Sequence, residues 1–209
     1  AGGLPQMAAY IDRTRREHPN TIVVSAGDLI GASPLISALL HDEPTIEGMN
    51  EAGLIVTSVG NHEFDEGWRE LVRMKEGGCH PEDGCKGDRT FGGADFEFLA
   101  ANVYKQGGDT IFPATMVREY DGVKVGFIGL TLEETPGIVN PEGVRGLSFS
   151  GEVETIDKYS ARLRERGVEA IVVLIHEGGI PREDASPDDC GSLEGPIIDI
   201  VNQSSDAVD

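Results

Sequence analysis

The stretch TSVGNHEFDEG, residues 57–67, sets an amide, an imidazole and carboxylates (Asn61, His62, Glu63 and Asp65) directly after an apolar run. An imidazole with a carboxylate three residues on can hold a proton and aim it. An amide oxygen beside them can ligate a cation. Three further places carry the same kinds of group. Asp28 follows Ala26-Gly27, Asn102 follows Leu99-Ala100-Ala101, and His176-Glu177 close the run AIVVLIHEGG. Carboxylate, amide and imidazole donors together suit divalent ions such as Zn²⁺ or Mn²⁺.

Each group also has a plainer reading. Asp28 after a glycine can cap a helix. Asn61 and Asn102 are common turn residues. His176 can be a satisfied histidine ending a buried strand. Glu63 and Asp65 can simply favour the N-terminus of the next helix. His18, His41 and His80 lie in polar surroundings and read as surface residues. Position favours chemistry for the first group, because all of them fall where strands are expected to end.

The elements that must place them alternate. Helical spacing covers residues 4–18, and Pro19 stops it. NTIVVSAGD is a short buried strand. Residues 33–53 contain two short helices, and LIVTSVGNHE is the second strand. DEGWRELVRMKEGG is a helix closed by glycines, and residues 79–95 form a loop. FEFLAANVY is a third strand, and VKVGFIGLT a fourth after the turn at Asp121-Gly122. A helix over residues 152–167 leads to the fifth strand, VEAIVVLIH. PREDASPDDCGSLEG is a second loop, PIIDIVNQSS a last short helix, and DAVD the opening of a sixth strand. This α/β order predicts a largely parallel sheet covered on both faces. Ligands of such sheets bind outside the C-terminal ends of the strands, which is where Asp28, Asn61, Asn102 and His176 fall.

With 209 residues the chain can build one domain with a substantial core. It carries 37 acidic against 17 basic residues, a formal charge of -20. Such a balance opposes binding to nucleic-acid polymers and anionic membranes. It allows a small phosphate ester where metal ions neutralise the site. No apolar run reaches the length of a membrane span.

The three cysteines are Cys79, Cys85 and Cys190. The first two bracket the loop CHPEDGC. They can be free thiols, or two zinc ligands together with His80, a set that lacks a fourth donor at the usual spacing. The reading carried forward is a Cys79–Cys85 disulfide, which implies an oxidising compartment. Cys190 then has no partner, and its partner is expected outside the chain.

GD at residues 27–28, GNHEFD at 60–65, LAANVY at 99–104 and a strand ending in His176 resemble the calcineurin-like metallophosphoesterases, and more narrowly their secreted bacterial 5′-nucleotidase branch. The loops GGCHPEDGC and DDCGSLEGP resemble one subgroup of that branch. The resemblance implies the family's layered β-sheet core with flanking helices. By the same resemblance Asp28, Asn61 and His176 are metal ligands, with Asp28 bridging two ions. His62 is the histidine that stabilises the phosphoryl transition state, and Asp65 orients it. The implied reaction is hydrolysis of nucleotide phosphate monoesters by a metal-bound hydroxide, with a 2′,3′-cyclic phosphodiesterase or a non-catalytic binding module of the same fold as alternatives. Two divalent ions are expected in the intact enzyme, and at most one, weakly held, in this chain. The family's opening Asp-x-His and closing Gly-His-x-His are not found here. The expectation is therefore a single catalytic domain over residues 1–209, lacking the first strand, the C-terminal strands and the separate nucleotide-binding domain. Exposed sheet edges would then favour self-association. The implied substrate is a small nucleotide, and the implied location secreted, periplasmic or at the cell surface.

Overall fold

The computed structural model describes residues 3–86, 89–181 and 193–209. The expected loop over residues 181–195 and Cys190 therefore lie largely outside the described residues. In chain order the elements begin with α1 (Gly3–Glu17), β1 (Val24–Ser25), α2 (Leu35–Ala38), α3 (Glu43–Ala52) and β2 (Val56–Ser58). A 3-10 turn (His62–Phe64) leads into α4 (Trp68–Glu76), then β3 (Glu97–Leu99), β4 (Val103–Lys105), β5 (Thr115–Tyr120) and β6 (Val123–Thr131). The chain continues with α5 (Thr135–Ile138), β7 (Leu147–Phe149), α6 (Glu152–Glu165), β8 (Ala170–His176), β9 (Ile180–Pro181), β10 (Leu193–Glu194) and α7 (Pro196–Gln203).

The layered α/β core is present, but its strands form two principal sheets where the sequence pattern predicted one. One sheet has the order β1-β2-β3, all parallel. The other has the order β5-β6-β8, with β6 and β8 parallel and β5 antiparallel to β6. The sheets meet face to face over Val56, Leu99, Phe127 and Leu174. Helices cover the outer faces. Ile46, Leu71 and Met74 from α3 and α4 pack with Phe98 beneath one sheet. Ile156, Leu163 and Ile200 from α6 and α7 pack with Ile128, Leu130 and Ile171 on the other. A strand between two apolar layers is a continuous apolar run whether its neighbour layer is a helix or a sheet. The pattern of VKVGFIGLT therefore fits both architectures.

Two local features shape the rim. The expected third strand breaks at Asn102, which is fully buried. Its side-chain N–H groups donate to the carbonyls of Thr131 (2.6 Å) and Ser150 (3.1 Å), and its Oδ1 accepts the Thr131 N–H at 3.0 Å. These bonds send β4 away to pair with β7. Gly129 lets the sheets approach, since a Cβ there would stand 2.3 Å from that of Leu99. The hairpin strand β5, preceding the Asp121-Gly122 turn, lay outside the sequence reading. DAVD forms no assigned strand; the Asp209 N–H donates to the Ile171 carbonyl beside β8 at 3.0 Å.

Candidate active site

Three strand ends deliver the rim. β1 runs into Ala26-Gly27-Asp28, β2 into Val59-Gly60-Asn61, and β8 ends on His176. Asp28 adopts a left-handed backbone (φ 53°), unusual for a residue with a side chain. The turn after β2 closes against it: a Cβ on Gly60 would lie 2.2 Å from Asp28 Oδ1, so only glycine fits.

Glu63 fixes that approach. It is 2% exposed, and its carboxylate accepts three backbone N–H bonds, from Leu29 (2.7 Å), Asp28 (2.9 Å) and Gly60 (2.6 Å). Burial pushes its carboxyl pKa upward; the three backbone donors oppose this, and the nearby Asp28 charge adds to it. The plainer sequence reading, in which Glu63 simply favours a helix N-terminus, misses the clamp that Glu63 forms. Its donors include residues 35 and 34 positions away, which local spacing cannot reveal.

Asp28, Asn61 and His176 converge. His176 Nε2 lies 3.1 Å from Asp28 Oδ2 and 3.1 Å from Asn61 Oδ1. The other ring nitrogen, Nδ1, donates to the Ala26 carbonyl at 2.9 Å. A neutral ring in that tautomer turns the Nε2 lone pair towards two oxygen acceptors, an arrangement relieved by a positive species among them. A divalent ion about 2.1 Å from each donor leaves neighbouring octahedral donors about 3.0 Å apart. Both separations from His176 Nε2 match that spacing, so the residue types and these two distances fit one such ion.

His62 stands beside this group. Its backbone N–H donates to Asp28 Oδ1 at 3.1 Å, and its Nδ1 meets Asp65 Oδ2 at 2.7 Å. Asp65 Oδ2 also accepts the Ala32 N–H at 3.3 Å. The Asp65 hydrogen bond raises the His62 pKa above its ordinary value; partial burial opposes this, and the charges of Asp65, Asp28 and Glu63 add to it. The two side chains are 40% and 36% exposed, open to a solvent-borne ligand.

Asn102 and Glu177 do not join the rim group. Asn102 is a buried cross-brace. It holds Thr131, whose Oγ1–H donates to the Val59 carbonyl at 2.6 Å, just ahead of Gly60-Asn61. The Glu177 carboxylate accepts the Gly178 N–H at 2.8 Å. Cys79 and Cys85 are joined with their Cα atoms 4.4 Å apart, which removes the alternative zinc set with His80. His18 is exposed as expected. His41 is not: its side chain is 14% exposed and stacks on the His80 ring at 3.9 Å.

No protein-family model matches the chain. Endonuclease YhcR of Bacillus subtilis is 37% identical over the whole chain, which spans only 16% of that relative. A solved 5′-nucleotidase precursor from Thermus thermophilus is 27% identical with a TM-score of 0.69, over 83% of this chain and 31% of its own. The calcineurin-like phosphoesterase YfkN of B. subtilis shares the fold with a TM-score of 0.72 at 24% identity, over 99% of this chain and 61% of its own. The chain thus corresponds to a fraction of the relatives' length. Among the described residues no helix is long and apolar enough to cross a membrane. Sequence relatives and fold neighbours point the same way: the chain is similar in sequence to a 5′-nucleotidase and shares its fold with a calcineurin-like phosphoesterase.

Proposed function

We propose that this chain carries catalytic groups of a metal-dependent phosphohydrolase that cleaves nucleotide phosphate monoesters. The observation that carries the reading is the meeting of Asp28 Oδ2, Asn61 Oδ1 and His176 Nε2 beside the His62–Asp65 pair. Asp28, Asn61 and His176 would hold a divalent cation, Zn²⁺ or Mn²⁺ by donor type. When bound, such ions supply positive charge for the phosphate and activate water. The protein's own part is orientation and proton control. Asp65 holds Nδ1 of His62 and favours the protonated ring, which leaves Nε2–H to donate to a phosphoryl or leaving-group oxygen as negative charge develops there. Glu63 keeps the Asp28 and Gly60 turns in register, so the metal donors and His62 stay in one frame. The Cys79–Cys85 bridge supports a location outside the reducing cytosol.

A second reading, phosphodiester cleavage, is favoured by the endonuclease name of the B. subtilis relative. The charge of -20 weighs against a long polyanion and leaves a small cyclic nucleotide as the better diester. The test measures release from 5′-AMP and from 2′,3′-cyclic AMP with Mn²⁺ or Zn²⁺, using the protein that carries this chain. Phosphate release from 5′-AMP is expected. His62→Ala should lower turnover by about 10²-fold or more at unchanged metal content. Asn61→Ala should instead lower metal occupancy. Cleavage of the cyclic substrate alone selects the second reading, and cleavage of neither makes the domain a binding module.

A further inference from the structure

A second gathering of donor atoms lies where α2 turns into α3. His41, Glu66, Glu70 and His80 each offer one ligand atom, and these atoms all lie within 4.8 Å of one another. None of the four belongs to the rim group. They come from three segments: the α2–α3 corner, the start of α4, and the loop closed by Cys79–Cys85.

We propose that this corner is a separate divalent-cation site of two imidazoles and two carboxylates, suited to a transition ion such as Zn²⁺, that ties the three segments together. Imidazole and carboxylate are the donor types of protein zinc sites, and four protein ligands make a closed, structural one. The donors are backed from behind. His41 Nδ1 lies 3.2 Å from Glu66 Oε2, while its other nitrogen, Nε2, lies 2.9 Å from Asp83 Oδ2. A carboxylate on the far nitrogen is the usual partner of a metal-bound imidazole, fixing the ring and strengthening it as a donor. Glu70 is oriented by Arg73, whose Nη2 donates to its Oε1 at 2.6 Å and whose Nε is shared between Oε1 and Oε2 at 3.0 and 2.9 Å. The same guanidinium binds Glu43 and the Gly78 carbonyl, each at 2.7 Å, which ties the disulfide loop to α4.

Two further features belong with a ligand site. His41 and Asp42 are consecutive residues with left-handed backbones, φ 53° and 59°. Such conformations persist in side-chain-bearing residues where the surroundings over-determine them, commonly at binding sites. The corner also sets five carboxylates, Glu43, Glu66, Glu70, Glu82 and Asp83, against three permanent cations, Arg69, Arg73 and Lys86. The remaining field attracts a cation. His80 is positioned as well, its Nδ1 accepting the Asp83 and Glu82 N–H groups at 3.1 and 3.4 Å and its ring stacked on His41.

The test separates the corner from the rim. In an Asp28→Ala/His176→Ala variant, one Zn²⁺ per chain should survive dialysis, and Co²⁺ should give the visible absorption of a nitrogen–oxygen site. Adding His41→Ala/His80→Ala should weaken binding at least 100-fold and abolish the band. Zn²⁺ should raise the melting temperature of the first variant and not that of the second. No Zn²⁺ or Co²⁺ binding by the folded rim variant overturns the proposal, as does binding that survives the corner substitutions. Should the rim variant fail to fold, the unmodified chain serves. Its His41 and His80 ring-proton resonances should shift with added Zn²⁺, and shifts confined to His176 and His62 overturn the proposal.

Discussion

The rim is built around a buried carboxyl group, Glu63, and the His41–His80 corner around a buried guanidinium, Arg73. At the rim, Glu63 gathers three backbone N–H groups and so fixes main chain directly. At the corner, Arg73 gathers Glu43, Glu70 and the Gly78 carbonyl; its side chain and those of the two carboxylates are 9–11% exposed. Backbone donors have no rotamers to lose, so the rim holds its shape through peptide geometry. The corner depends on side chains that must each be ordered and that carry charge. A broken centre therefore acts differently in the two places. The rim loses alignment, and the corner is left with uncompensated charge.

The largest effect should come from Arg73→Ala. It strands Glu43 and Glu70 without their guanidinium, and breaking a buried ion pair from one side costs about 3–5 kcal/mol. Denaturant unfolding measures it. A loss under 1 kcal/mol would mean that the corner is held by the disulfide and not by Arg73. Next comes Glu63→Ala, which leaves the N–H groups of Asp28, Leu29 and Gly60 without an acceptor. At about 1–3 kcal/mol per buried unsatisfied group, partly relieved by entering water, about 3 kcal/mol is expected. Turnover should fall as well, because Asp28 and Gly60 lose their register. Full activity at reduced stability would show that the rim aligns itself without Glu63.

The smallest effect concerns pH. Asp65 holds the His62 pKa above its unfolded value, so the pair's contribution to stability is fully present below the ordinary value of 6.5. It is lost as pH rises through the raised, folded pKa. The wild type should therefore be more stable than Asp65→Asn in mildly acidic buffer, and the gap should narrow as pH rises. The pair is substantially exposed, so the gap is small. A gap that widens with pH in thermal melts would show that Asp65 acts through its Ala32 bond and not through the His62 charge.

Much of the rim was legible before any coordinates. Asp28, Asn61 and His176 fall at strand ends, and strand ends can be read from apolar runs that stop at glycine or polar residues. His62 and Asp65 are three positions apart, and a single 3-10 turn brings them together. Their supports were hidden. Asn102 braces Thr131 and Ser150 at separations of 29 and 48 residues, and the strand break that results cannot be seen in FEFLAANVY itself. β5 also escaped, since TMVREY shows only weak alternation and is a strand because β6 pairs with it.

Sequence by itself determined the main helices and the strands that lead to the rim, the strand-end positions of the rim donors, the acidic composition and the family resemblance. All of these are written in short-range patterns of side-chain type. Tertiary structure decided that the strands divide into two facing sheets, that Glu63 clamps two turns, and that His41 meets His80. The physical reason is the same in each case. Burial on both faces gives one apolar pattern for several architectures, and a polar side chain reveals its partner only when folding brings distant backbone within hydrogen-bonding reach.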